Sequence, residues 1–297
     1  MKSIRSLSFV LILTAAAAAA FGFETIIEYH TGNLGFVSDR SSDETAFKGT
    51  DFPWGLSLYA RNRISEAMGI ETGVEYDPVL RYTAYTRLSY HSSMFTLGVG
   101  PFFGLFNTTG TTLRSGIVAS VRFELPGIMF IEFRSDNSIG GWMAEPGDYT
   151  QERSQISLGW YMKNAICSLN LETSGFSELR TGGLTVHDDL TEYMFKADLF
   201  KKNVPYTLLI ALGYRQLEKS FVGAGGTTVH GLGSLVVGTK LTARFTRHLS
   251  AYADLVSSVY SFGMNDLFGV PIDPARFLFT LTCGVTVDTD IFSGSKL

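Results

Sequence analysis

In six segments of this sequence every charged side chain falls on one parity. They are Arg61 with Arg63, Glu71 with Glu75, Arg81 with Arg87, Arg114 with Arg122 and Glu124, Glu132 with Arg134, and Glu192 with Lys196 and Asp198. Side chains alternate between the two faces of a β-strand, and chance alone gives such agreement roughly once in 250. The opposite parity is apolar: Leu113, Ile117, Ala119, Val121, Phe123 and Leu125 in one segment, and Tyr193, Phe195, Ala197 and Leu199 in another. Phe277, Phe279, Leu281, Cys283, Val285 and Val287 repeat the pattern against Arg276, Thr280 and Thr282. The chain is therefore expected to be all-β, with each strand showing one apolar and one polar face.

Alternation of this kind recurs along the chain and predicts fourteen strands: 24–37, 52–64, 68–76, 79–90, 94–106, 112–125, 128–136, 151–162, 165–174, 190–200, 206–216, 230–245, 249–261 and 276–288. Twelve is the alternative count. Past the first twenty residues there is no run of 18 apolar residues, which excludes a helical membrane protein but not a barrel, whose strands need only about 9 to 11 residues each. Aromatic residues make up 13% of the chain and charged ones only 18%, a balance that suits strands facing lipid. Trp54, Tyr76, Phe133, Trp160, Tyr193, Tyr206, Tyr214 and Phe245 fall near strand ends, as interfacial girdles would.

Connection lengths point the same way. Connections at 65–67, 91–93, 126–127, 163–164, 201–205 and 246–248 are short, and Pro126-Gly127 and Lys163-Asn164 are good turn formers. Those at 38–51, 107–111, 137–150, 175–189, 217–229 and 262–275 are long and polar, with Asp77-Pro78 the one short exception. Short turns on one side and long loops on the other are the topology of a closed, antiparallel, up-and-down transmembrane barrel with both termini at the short-turn side. Pro101 inside the fifth strand removes a ladder donor, and a bulge is expected there.

The first residues carry Lys2 and Arg5, an apolar stretch from Leu7 to Ala20, and Ala20-Phe21-Gly22, so residues 1–22 read as a signal peptide and 23–297 as the exported barrel. No cysteine near that point could accept a lipid. Removing two basic residues makes a chain of net charge −4 more acidic still, which speaks against nucleic-acid binding.

The signal, the alternating strands and the terminal pattern Thr282-x-Gly284-x-x-Val287 together resemble the bacterial outer-membrane β-barrel superfamily, and fourteen strands is similar to small monomeric porins. The last pattern resembles the insertion signal such barrels carry, although a tail to Leu297 follows it in place of a terminal aromatic residue. The resemblance implies an outer-membrane location, outer-membrane lipid and the barrel assembly machinery as partners, and a pore for small solutes.

Nothing in the sequence points to catalysis, a cofactor or a metal. His187-Asp188-Asp189 in an outer loop and His230 at a strand start could be imagined as a surface acid and base pair, but such residues co-occur in polar loops without chemistry. No Gly-x-Ser-x-Gly elbow is present, Ser250 near His248 has no orienting acid, and His30 and His91 lack ligand spacing. Gly223-Ala224-Gly225-Gly226 reads as a loop tip. Cys167 and Cys283 fall on the lipid-facing parity of well-separated strands and are expected as free thiols.

The lumen-facing charges carry the functional expectation: Arg61, Arg63, Glu71, Glu75, Arg81, Arg87, Arg114, Arg122, Glu132, Arg134, Lys196 and Arg215. On strands two to four, four arginines face two glutamates, a local positive excess that favours anions, although the same charges could equally form a stiffening salt-bridge array. The leading expectation is a passive porin-like channel for small hydrophilic solutes. The alternatives are a surface adhesin anchored by loop residues Trp142 and Tyr149, and a channel for hydrophobic solutes.

Overall fold

The computed structural model describes residues 24–32, 54–77, 81–104, 114–138, 148–200, 204–263 and 279–288, and all regular structure among them is strand. The elements are β1 (Glu24–Gly32), β2 (Trp54–Arg63), β3 (Met68–Asp77), β4 (Arg81–His91), β5 (Phe95–Gly104), β6 (Arg114–Leu125) and β7 (Met129–Ser138). They continue as β8 (Tyr149–Met162), β9 (Ala165–Arg180), β10 (Leu184–Phe200), β11 (Tyr206–Gly223), β12 (Gly226–Arg244), β13 (Leu249–Gly263) and β14 (Phe279–Asp288). Each pairs antiparallel with its sequence neighbours, and β1 pairs β14 from Glu24 opposite Asp288 to Gly32 opposite Thr280, so the sheet closes. The count is fourteen, and no strand edge is left unpaired.

On most strands one parity meets the outside. Leu97, Val99, Ile117, Phe123, Ile131, Phe133, Leu169, Phe195, Leu212, Leu241 and Val285 are all exposed there, an apolar belt that only lipid would cover. Tyr206 and Phe245 are exposed at the short-turn end, where aromatic rings suit the interface. Cys283 lies exposed on this face, Cys167 is half-buried, and both are free thiols.

The outer connections differ from expectation in two places. Residues 175–189 and 217–229 are not long loops. The β9–β10 hairpin continues to Arg180 and Leu184, and β11–β12 to Gly223 and Gly226, each closed by a tight turn in which Gly182, Gly183 and Gly226 take positive φ. Beyond the lipid band a strand no longer needs an apolar face, so alternation fades while the hydrogen-bond ladder goes on. His187-Asp188-Asp189 thus stands on β10 and His230 lies within β12 rather than at its start. Residues 33–37, 139–147 and 276–278, and the proposed signal peptide, lie outside the described residues.

Pro101 does not make a bulge. Tyr85 opposes Phe102 and Leu88 opposes Val99 in one unbroken register, so the ladder only skips the positions between them. The gap is accommodated by close approach instead: a side chain on Gly100 would place its Cβ 1.7 Å from the Thr86 carbonyl oxygen. The bulge lies on β13, where Ser258 opposes Val236 but Tyr260 opposes Leu235, and Val259 and Tyr260 both point outward.

The cross-section is not circular. Fourteen strands about 4.8 Å apart and tilted about 40° would close into a ring roughly 28 Å across at the backbone. Cα atoms of β4 and β6, and of β5 and β7, nevertheless come within 8 Å across the strand between them, a sharp bend that flattens the ring. Inside it Phe102 and Val118 are fully buried against Tyr85 and Tyr59. Gly104 leaves room there for Tyr149, whose hydroxyl donates to the Gly104 carbonyl at 2.8 Å.

Candidate functional site

The inner parity of the flattened barrel carries a connected set of charges. On β2 and β3, Arg61 Nε donates to Glu71 at 2.8 Å, while Arg87 of β4 reaches the other oxygen of the same carboxylate at 3.1 Å. Tyr85 also donates to Glu71, at 2.8 Å. Register explains the grouping, since Arg61, Glu71 and Arg87 are direct cross-strand partners on one face.

A second group spans the lumen. Arg153 on β8 bonds Asp136 of neighbouring β7 at 2.6 Å and Glu75 of β3 at 2.5 Å. In a circular ring β3 and β8 would lie roughly 25 Å apart, beyond the reach of two side chains, so this strut depends on the flattening. Glu75 accepts further from the Tyr59 hydroxyl at 2.6 Å and from Thr83 at 3.4 Å. Arg134 holds Asp136 and lies 5.1 Å from the centre of the Tyr85 ring, which joins the two groups. Asp136 is completely buried, and its charge is tolerable because two guanidiniums bracket it.

Other pairs line the remaining wall. Arg122 bonds Glu132 at 2.8 Å and Glu124 at 3.2 Å near the short-turn end. Arg215 is bonded to Glu192, and Lys219 meets Asp188 at 2.9 Å in the buried upper lumen. Tyr252 donates to Glu28 beneath Lys240, whose ammonium sits 3.7 Å from the Tyr252 ring centre. Lys196 lies on the inner parity of β10, opposite Ala211 of β11.

Two polar cavities run through this array. One of 480 Å³ is lined by Glu24, Arg61, Arg63, Glu71, Arg87, Ser89, His91, Thr96, Ser120 and Asp288 at the short-turn end. The other, of 220 Å³, continues to Glu28, Tyr59, Glu75, Tyr85, Arg134, Arg153 and Glu172. Arg61 lines both, so they share a wall along the lumen.

Of the side chains singled out in the sequence, Arg61, Arg63, Glu71 and Arg87 gather in the larger cavity, Glu75 and Arg134 join the strut, and Arg122, Glu132, Lys196 and Arg215 stand elsewhere on the inner wall. Arg81 and Arg114 open β4 and β6, with side chains outside the described residues, as is Trp142. Tyr149 is not a loop anchor: it is buried on the inner face of β8, stacked on Phe176 at 5.6 Å. Sequence reasoning missed Arg153 because its neighbour Glu152 breaks the shared parity; it missed Glu24 on β1, which pairs β2 directly, and Asp288, which only barrel closure brings beside β1. The Ser177 hydroxyl lies 2.6 Å from His187 Nδ1 on the outer face. Among the described residues no carboxylate is hydrogen-bonded to that imidazole, so the orienting acid of a nucleophilic triad has no counterpart.

Above the lipid band, Glu152, Asp189 and Glu218 face outward in one row, with Gly175 between the first two. Asp189 Oδ1 and Glu152 Oε1 converge over that glycine. Partial burial, then repulsion from Glu218, Glu152 and Asp188, pushes the Asp189 carboxyl up to about 6.

No protein-family profile and no curated protein matches the chain. Among solved structures it is similar to a loop-deletion form of OmpT, an outer membrane protein of Vibrio cholerae, at 10% identity over 89% of this chain and 97% of that one, with a TM-score of 0.42. It is similar to an anion-selective porin from Comamonas acidovorans at 12% identity, over 89% and 97% of the two chains, with a TM-score of 0.38. A bacterial polysaccharide outer membrane secretin gives 11%, 90% and 98%, with a TM-score of 0.49. Closed sheet, even strand number and exposed apolar belt make this chain an antiparallel transmembrane β-barrel of fourteen strands among the described residues.

Proposed function

We propose that this barrel is a passive, non-enzymatic channel for small hydrophilic solutes, exported through the signal at residues 1–22 and inserted by the outer-membrane assembly machinery. The observation that carries the reading is the pair of polar cavities that share Arg61 and lead from the short-turn end to the Glu75–Arg153 strut. A wall of fixed charges with water-filled space beside it lets hydrated solutes pass while excluding apolar ones. The strut makes the passage narrow and off-axis, so permeation should fall steeply with solute size. Of the two residues named for the adhesin alternative, Tyr149 is buried and Trp142 lies outside the described residues.

Osmotic swelling of liposomes containing the refolded protein tests this. Small sugars and polyols should enter at rates that drop from a triose-sized to a disaccharide-sized solute. Absence of swelling with every solute, from a preparation shown to be folded, would refute the channel.

A further inference from the structure

The three arginines that line the larger cavity are not equivalent. Arg61 and Arg87 both hold Glu71, at 2.8 and 3.1 Å. Arg63 is exposed to the same cavity and has no carboxylate partner among the described residues. It heads a row that crosses the inner wall from β2 to β6: Arg63 opposes Gly69, Gly69 opposes Ser89, Ser89 opposes Gly98, and Gly98 opposes Ser120. No member of that row is acidic. The carboxylates of the lining stand off it. Glu24 and Glu71 flank Arg61 on β1 and β3, and Asp288 on β14 is engaged in an interaction of its own.

The two glycines open a trough along the row. A Cβ on Gly69 would stand 2.9 Å from Ser89 Oγ and 3.1 Å from His91 Nε2, so both side chains lean over Gly69 toward Arg63. One on Gly98 would stand 2.6 Å from Ser120 Oγ, which leans over that glycine in the same way. His91 then sets where the hydroxyl protons point. Its Nε2 lies 2.9 Å from Ser89 Oγ and its Nδ1 3.2 Å from Thr96 Oγ1. A neutral imidazole donates at one nitrogen and accepts at the other, so the hydroxyl at the donating nitrogen keeps its own proton for the cavity. Ser120 adds a further hydroxyl to the wall.

We propose that this row is a subsite for small oxyanions at the short-turn end of the lumen. Arg63 sets the preference by gripping two oxygens side by side, while Ser89 or Thr96, and Ser120, donate to what remains of the anion. Arg61 and Arg87 serve to hold Glu71. The subsite rests on the channel reading above and gives that channel its solute class, small molecules bearing a carboxylate or phosphate group. A cavity of 480 Å³ lies within the range of small-ligand sites, about 300 to 1,000 Å³.

Inorganic phosphate is the probe. Chloride current through the refolded wild-type protein in a planar bilayer is recorded while phosphate is added to both sides. Phosphate lodged on the row obstructs chloride, so the current should fall, with half the effect on the order of millimolar phosphate, as for a few hydrogen bonds facing water. Arg63→Gln should need about fivefold more phosphate, the worth of one water-exposed charge contact. Arg63→Lys, which keeps the charge without the paired donors, should fall between the two. Arg122→Gln, at an inner-wall arginine outside this cavity, should match the wild type. The same additions to each variant cancel the effect of ionic strength, and heat-modifiable gel mobility reports their folding. A wild-type current indifferent to phosphate, or equal sensitivity in Arg63→Gln, would overturn the subsite and leave the channel in place. No chloride current from folded wild-type protein would overturn the channel and the subsite together.

Discussion

Replacing Arg153 by glutamine should destabilise the barrel more than replacing Glu75 by glutamine, because the two ends of the strut are supported differently. Arg153 serves two acids at once, Glu75 through Nη2 and Asp136 through Nη2 and Nε. Its removal leaves side chains only 7% and 0% exposed with Arg134 as the one remaining cation in contact with Asp136 and none bonded to Glu75 among the described residues. Breaking a buried pair in this way costs about 3–5 kcal/mol, most of it from the charge left behind. Glu75→Gln is milder. Arg153 keeps Asp136, and the new amide oxygen still accepts from Tyr59 and Thr83, so the loss is one charge-assisted hydrogen bond, about 1.5–3 kcal/mol. Urea titration of folding in lipid vesicles, with the double variant completing the cycle, measures both costs and a coupling expected at about 0.5–3 kcal/mol. Equal costs, a larger cost for Glu75→Gln, or values all within about 0.5 kcal/mol of zero would refute the strut as described.

Three further outcomes follow from the same geometry. Leu212→Arg, on the exposed lipid face of β11, should cost about 2–4 kcal/mol in the same titration while Lys196→Ala on the inner wall stays near the parent; the reverse order would invert the assignment of faces. Gly100→Ala should cost at least about 1–3 kcal/mol by overpacking, since its Cβ would overlap the Thr86 carbonyl, and a neutral result would contradict the close approach of β4 and β5. The segment from Phe200 to Leu190 already covers roughly 28 Å along a tilted strand, which places Asp189 beyond the lipid band. Its carboxyl is raised to about 6 from an ordinary value near 4, so the folded hairpin binds the proton more tightly than the unfolded chain, and stability should fall as pH rises from about 4 to 6. Asp189→Asn should therefore protect the β9–β10 hairpin from proteolysis at pH 8 and make no difference at pH 4; protection equal at both would remove the acidic row as its cause.

Within the lipid band the strands were legible because lipid imposes an apolar face on every one of them, and parity of charge then marks the other. Outside the band that constraint ends, which is why Gly175–Arg180 and Leu217–Gly223 read as polar loops although their backbones stay paired. The inner wall was legible strand by strand but not as a site. That Arg61, Glu71 and Arg87 meet follows from short turns between consecutive strands. The Arg153–Glu75 strut follows from a flattening produced at β4–β7, and the Glu24–Asp288 juxtaposition from closure between the two ends of the barrel. Both are long-range consequences of the complete sheet, with no local signature. Pro101 illustrates the same limit: the missing donor was visible, whereas its accommodation by Gly100 depends on the opposing backbone.

Single-channel recording of the refolded protein in a planar lipid bilayer is the most direct test of a narrow, charge-lined passage. The parent should conduct steadily with small unitary steps, and the Glu75→Gln/Arg153→Gln variant, which removes the strut without leaving either of its two charges alone, should conduct with larger ones. A folded, heat-modifiable barrel that gives no current above the lipid background in either form would contradict the account.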